Sequence, residues 1–84
     1  MVVNDITPHV ERYANGIVKL SGFHLGGEMH GDWRFFRLDG SLMRSGAFDR
    51  GRQIGPWRTF DRVGRVVKET DFGMGRGTGT GPED

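Results

Sequence analysis

Three histidines, His9, His24 and His30, are the side chains best suited to proton transfer or metal ligation in this 84-residue chain. His24 and His30 stand six apart, with no acidic or cysteine ligand at metal spacing, so ordinary surface or core histidines are expected. Ser21, Ser41 and Ser45 have no nucleophile-elbow sequence around them. The carboxylates are spread among turns; Asp39 and Asp61 read as turn formers rather than general acids or bases. The stretch Gly73-Met74-Gly75-Arg76-Gly77-Thr78-Gly79 has the glycines of a phosphate loop but lacks its lysine, its preceding strand and its following helix. No catalytic, cofactor-binding or metal-binding residue is therefore assigned, no cofactor is expected, and the chain reads as a non-enzyme.

The basic residues carry more information. Between Arg34 and Lys68 there are nine Arg or Lys against three Asp, a local excess of six, although the whole chain has a net charge of only +1. Arg34 and Arg58 are 24 residues apart, as are Arg44 and Lys68. In a regular array such equivalents stack across the sheet. The expectation is one cationic column beside Phe36 and Phe60, able to meet acidic protein, phospholipid head groups or another acidic surface. The near-neutral total charge argues against nucleic acid.

The elements that must position these residues follow from the same 24-residue shift. It lays Gly22 on Gly46, Gly27 on Gly51, Gly31 on Gly55, Trp33 on Trp57, Phe36 on Phe60 and Gly40 on Gly64. Fifteen glycines together with nine aromatics fit tight turns between pleated strands. Asn15-Gly16, Asp39-Gly40 and Val63-Gly64 are expected to close tight hairpins. Gly26–Gly31 and Arg50–Gly55 are expected to be longer loops, with Pro56 at a strand entrance. Strands are placed near 7–13, 17–24, 32–37, 41–49, 56–60 and 65–72. The predicted fold is all-β: an antiparallel meander of stacked β-hairpin repeats with a 24-residue period and little or no helix. Residues 1–75 form one domain, and 76–84 a glycine-rich tail expected to be disordered.

Side chains alternate along a strand, so Trp33 and Phe35 share one face while Arg34 and Phe36 share the other. A single sheet has no second layer to cover its apolar face. A homodimer, or a tight protein partner, is expected to bury the Trp33/Trp57 face. The chain contains no cysteine, no signal-like leader and no long apolar run, and the cytoplasm is the expected compartment.

The pattern Gly31-Trp33-Phe36-Gly40-Leu42-Phe48-Gly51, repeated at Gly55-Trp57-Phe60-Gly64-Val66-Phe72-Gly75, resembles the variant MORN repeat of bacterial proteins over roughly residues 13–75. The resemblance implies stacked β-hairpins, protein–protein contact, dimerisation and sometimes binding to acidic lipid. It also implies the antitoxin or immunity role often given to bacterial members. About two and a half repeats are present, fewer than a free-standing solenoid needs, which favours an oligomer. The expected function is a small interaction module that self-associates and docks a protein. Its partner-binding residues would be Trp33, Phe35, Phe36, Trp57, Phe60, Arg34, Arg58, Arg44 and Lys68, since aromatics and arginines dominate interface energies. The alternative is a peripheral binder of anionic lipid or another acidic surface through the Arg/Lys column.

Overall fold

Glycine placement decides how the chain doubles back. In this computed structural model, which describes residues 5–73, Gly26 and Gly27 have φ of 59° and 90°, and Arg50 and Gly51 have φ of 48° and 89°. Two successive positive φ values make the two-residue turn whose twist matches that of the flanking strands. These sites join β2 (Val18–Leu25) to β3 (Glu28–Phe36) and β4 (Leu42–Asp49) to β5 (Arg52–Phe60). The long loops expected at Gly26–Gly31 and Arg50–Gly55 are therefore two-residue turns, and β3 and β5 begin four residues earlier than expected. The glycine-rich tail 76–84 and the last motif glycine, Gly75, lie outside the described residues.

The Asp-Gly turn differs in the opposite sense. Arg37 N–H donates to Ser41 O at 2.9 Å and Gly40 N–H to Arg37 O at 2.8 Å. The loop is thus Leu38-Asp39-Gly40, three residues long, and only Gly40 has positive φ. The same bonds recur at Tyr13/Ile17 and Asp61/Arg65. These loops connect β1 (Ile6–Arg12) to β2, β3 to β4, and β5 to β6 (Val66–Asp71). Side chains lock them. Asn15 Oδ1 accepts Ile17 N–H and Asp39 Oδ1 accepts Ser41 N–H, each at 2.9 Å. In the last loop Val63 occupies the corresponding place, and Asp61 instead accepts Val63 N–H at 3.0 Å and Arg65 N–H at 2.9 Å.

The six strands form one antiparallel sheet in the order β1-β2-β3-β4-β5-β6, a meander with no helix among the described residues. The molecule is a thin slab, with Cα extents of 39 × 36 × 13 Å. Its core consists of two tryptophans lying on glycines. Ser21 pairs with Arg34 and Phe23 with His30, so Gly22 alone faces the segment Gly31-Asp32-Trp33. Gly46 likewise faces Gly55-Pro56-Trp57, between the pairs Ser45/Arg58 and Ala47/Ile54. These bulges place each indole flat on the bare backbone across from it. A Cβ at Gly22 would come 2.1 Å from Trp33 Cδ2, and one at Gly46 2.1 Å from Trp57 Cδ2. Trp33 Nε1 donates to Phe23 O and Trp57 Nε1 to Ala47 O, both at 3.1 Å. Pro56 thus lies inside β5 rather than at its entrance, at a bulge where the ladder to β4 is already interrupted. Gly31 and Gly55 are bulge residues, with φ of 79° and 66°, not loop residues.

Candidate functional site

Cross-strand pairing assigns each expected site residue to a face. One row of partners runs Glu11–Leu20–Phe35–Arg44–Thr59–Lys68 from edge to edge. The adjacent row runs Val10–Ser21–Arg34–Ser45–Arg58–Glu69. Neighbouring residues of a strand point to opposite faces. Arg44 and Lys68 therefore share the tryptophan face, while Arg34 and Arg58 lie on the reverse face with Phe36 and Phe60. The expected single cationic column is two separate pairs on opposite sides of the sheet. Positions 24 apart share a face, but Arg34 and Arg44 do not, because Arg44 pairs with Phe35.

The tryptophan face is a continuous aromatic layer. Phe35 lies 6.1 Å from both Trp33 and Trp57, measured between ring centroids. Phe48 meets both indoles edge-on, at 6.0 and 5.1 Å. His9 and His24 close the β1 side of Trp33, their own rings 4.6 Å apart. Phe72 closes the β6 side of Trp57, and the Arg44 guanidinium sits 4.9 Å over the Trp57 ring. This cover leaves Trp33 2% and Trp57 4% exposed. The neighbours of each indole thus do the work expected of a second layer, and neither tryptophan has free surface to offer. Phe35, Phe36, Phe60 and Arg44 are half-buried.

Beside Trp57 is an open depression of about 360 Å³ lined by Arg44, Gln53, Thr59, Lys68, Thr70 and Phe72. It holds two cations and no carboxylate. The reverse face has a depression of about 330 Å³ whose lining includes Asp32, Arg34, Ser45, Ile54, Pro56 and Arg58. There Arg58 Nε is 3.0 Å from Glu69 Oε2, so part of the positive charge is neutralised. His30 pairs with Phe23, so it faces the side opposite to His24; its Nδ1 accepts the Arg50 N–H at 3.2 Å. No family model, curated protein or solved structure matches this chain.

Three carboxylates are held below their ordinary range. A hydrogen bond from His9, at 2.8 Å, lowers Glu11. The Ser41 hydroxyl and backbone N–H lower Asp39, and the Arg65 N–H is the largest influence lowering Asp61. All three are structural: one orders an edge strand and two lock turns. Inter-turn bonds tie the loops together along one end of the sheet. Tyr13 Oη donates to Phe36 O at 2.7 Å, and Arg37 donates to Phe60 O.

Sequence reasoning placed both edge strands and named Lys68 on β6, but it missed their exposed apolar side chains. Of the eight large apolar side chains that the described residues leave exposed, β1 carries Ile6 and Val10 and β6 carries Val66 and Val67; Val63, in the turn before β6, and Phe72, just after it, are two more. The signal for them was available: Val66 and Val67 stand side by side directly after the last hairpin turn, so one of them must face away from the tryptophan side.

Proposed function

We propose that this chain is a small non-enzymatic protein–protein interaction module of the variant MORN-repeat kind, which self-associates and docks a protein partner in the cytoplasm, in an antitoxin or immunity role. The observation that carries the reading is the distribution of exposed apolar surface. The centre of the sheet covers its own tryptophans, whereas β1 and β6, the outermost of the described strands, expose valines and an isoleucine. Such edges recruit further strands unless something blocks them. Phe36, Phe60, Arg34 and Arg58 on the reverse face are the surface assigned to a protein partner. Phe35, Trp33 and Trp57 serve that surface by keeping the sheet in shape.

Light scattering on the purified chain across a concentration series tests self-association: the mean mass should rise with concentration. A pull-down from native lysate tests docking. A protein held at fixed stoichiometry, and released by Arg34→Glu/Arg58→Glu in a chain that still melts cooperatively, supports the reading. A protein held equally by that variant removes the reverse face from the proposal.

A second reading has its own observation. The Arg44/Lys68 depression, with hydroxyls at Thr59 and Thr70 and no carboxylate in its lining, suits an acidic surface such as anionic lipid. Co-sedimentation with acidic vesicles that fades as salt rises would support it. Equal recovery with neutral vesicles would remove it.

A further inference from the structure

We propose that copies of this chain join head to tail, with the outer edge of β6 in one copy hydrogen-bonded to the outer edge of β1 in the next, these being the outermost of the described strands, so that one sheet runs through the junction. This rests on the self-association reading and names its geometry. Strand direction permits it: in the meander the odd strands run one way and the even strands the other, so a β1 set beside β6 is antiparallel to it.

The cross-strand rows supply the register. The row on the tryptophan face begins with Glu11 at one edge and ends with Lys68 at the other. Carrying that row across a junction places Lys68 opposite Glu11 of the next copy, an acid–base pair directly across two strands. The reverse-face row then sets Glu69 opposite Val10, and no like charges meet. The exposed apolar side chains Val66 and Val67 and those of β1 are brought to the same seam.

One closed arrangement, β6 against β6 about a two-fold axis, is disfavoured by the same sequence. An antiparallel pair keeps each side chain on its own face, so the axis must pass through a residue position. Centred on Lys68 or Glu69, it sets like charges directly opposite each other, which destabilises the pair. Centred on Thr70, it sets Glu69 against Asp71. Centred on Val67, it pairs only residues 66–68. A heterologous junction has no such conflict, and it yields an open chain of copies or a ring rather than a fixed dimer.

The test uses the full chain, with Lys68→Glu and Glu11→Lys prepared separately, and reads mass by sedimentation velocity over a concentration series. Each variant alone opposes like charges at every junction, so each should need about five- to tenfold more protein than wild type to reach the same mean mass. An equimolar mixture should recover wild-type behaviour, because unlike copies can alternate. At one junction the carboxylate introduced by Lys68→Glu meets the ammonium introduced by Glu11→Lys. At the next, the native Lys68 of one variant meets the native Glu11 of the other. Both substitutions are on exposed edge strands, and unchanged near-ultraviolet tryptophan spectra would establish that the fold is kept. Masses in the mixture that stay as low as in the separate variants would overturn the head-to-tail junction. So would a wild-type mass fixed at a dimer, or variants that associate as wild type does; either result leaves self-association standing. A wild-type monomer at every concentration would remove both readings together.

Discussion

The central strands and the edge strands are built on the same sheet but solve burial in different ways. β3 and β5 each carry a tryptophan that lies on a glycine of the preceding strand, sealed by rings on either side. Every residue of β6 is exposed, and in β1 only His9 is even half-buried. The difference shows that a one-layer sheet can make a core without a second layer, provided an indole replaces the missing side chain of a glycine across the strand. It also shows where that device stops. At the β1 end the ring position is taken by His9, opposite Gly22; at the β6 end Trp57 pairs with Thr70, not glycine. Stability is therefore assigned to the centre and association to the edges.

Changes at the centre, in the turns and at the edge would break or sharpen that contrast. The largest effect is expected from Trp57→Ala, which empties the second glycine seat and should cost about 3–5 kcal/mol in denaturant unfolding. A loss under about 1 kcal/mol would mean that the indole is not core. Gly46→Ala should follow, at roughly 3 kcal/mol, because a methyl cannot coexist with Trp57 in its present place. The same change at Gly51, where a Cβ meets nothing within 4 Å but φ is 89°, separates crowding from backbone strain; it should cost about 1 kcal/mol.

Acid should act on the turns. Asp39 and Asp61 are held below the ordinary carboxyl value by hydrogen bonds made to their charged forms. A depressed folded-state value contributes stability above the ordinary value and loses it as pH falls through the acid range below about 4. Thermal melts should fall there, and the double variant Asp39→Asn/Asp61→Asn should flatten that slope. An unchanged slope would place the acid sensitivity elsewhere. The smallest effect on folding is expected at the edge. Val67→Lys should shift stability by no more than about 0.5 kcal/mol while raising the concentration needed for association. A large loss of stability would transfer β6 to the core.

Much of this architecture can be read from particular residues. The meander follows from glycine-punctuated aromatic runs, and Asp61 is recognisable as the anchor of its turn. Loop length is not readable from the dipeptides alone. Asp39 keeps negative φ, so Asp39-Gly40 makes a three-residue loop, whereas Arg50 accepts positive φ and Arg50-Gly51 makes the shorter one. Gly31 and Gly55 resemble loop residues in the sequence because a bulge and a turn both call for positive φ. The split of the four basic residues between two faces follows from cross-strand register, which spacing along the chain does not contain. The self-burial of the tryptophans depends on Gly22 and Gly46, whose role appears only once the facing strand is in place.

Amide hydrogen exchange at two protein concentrations tests the division between centre and edge most directly. If edges associate and the centre stands alone, amides of β1 and β6 should gain protection at the higher concentration while those of β3 and β4 stay unchanged. Edge-strand exchange that is independent of concentration, or protection that rises uniformly through the sheet, would contradict it.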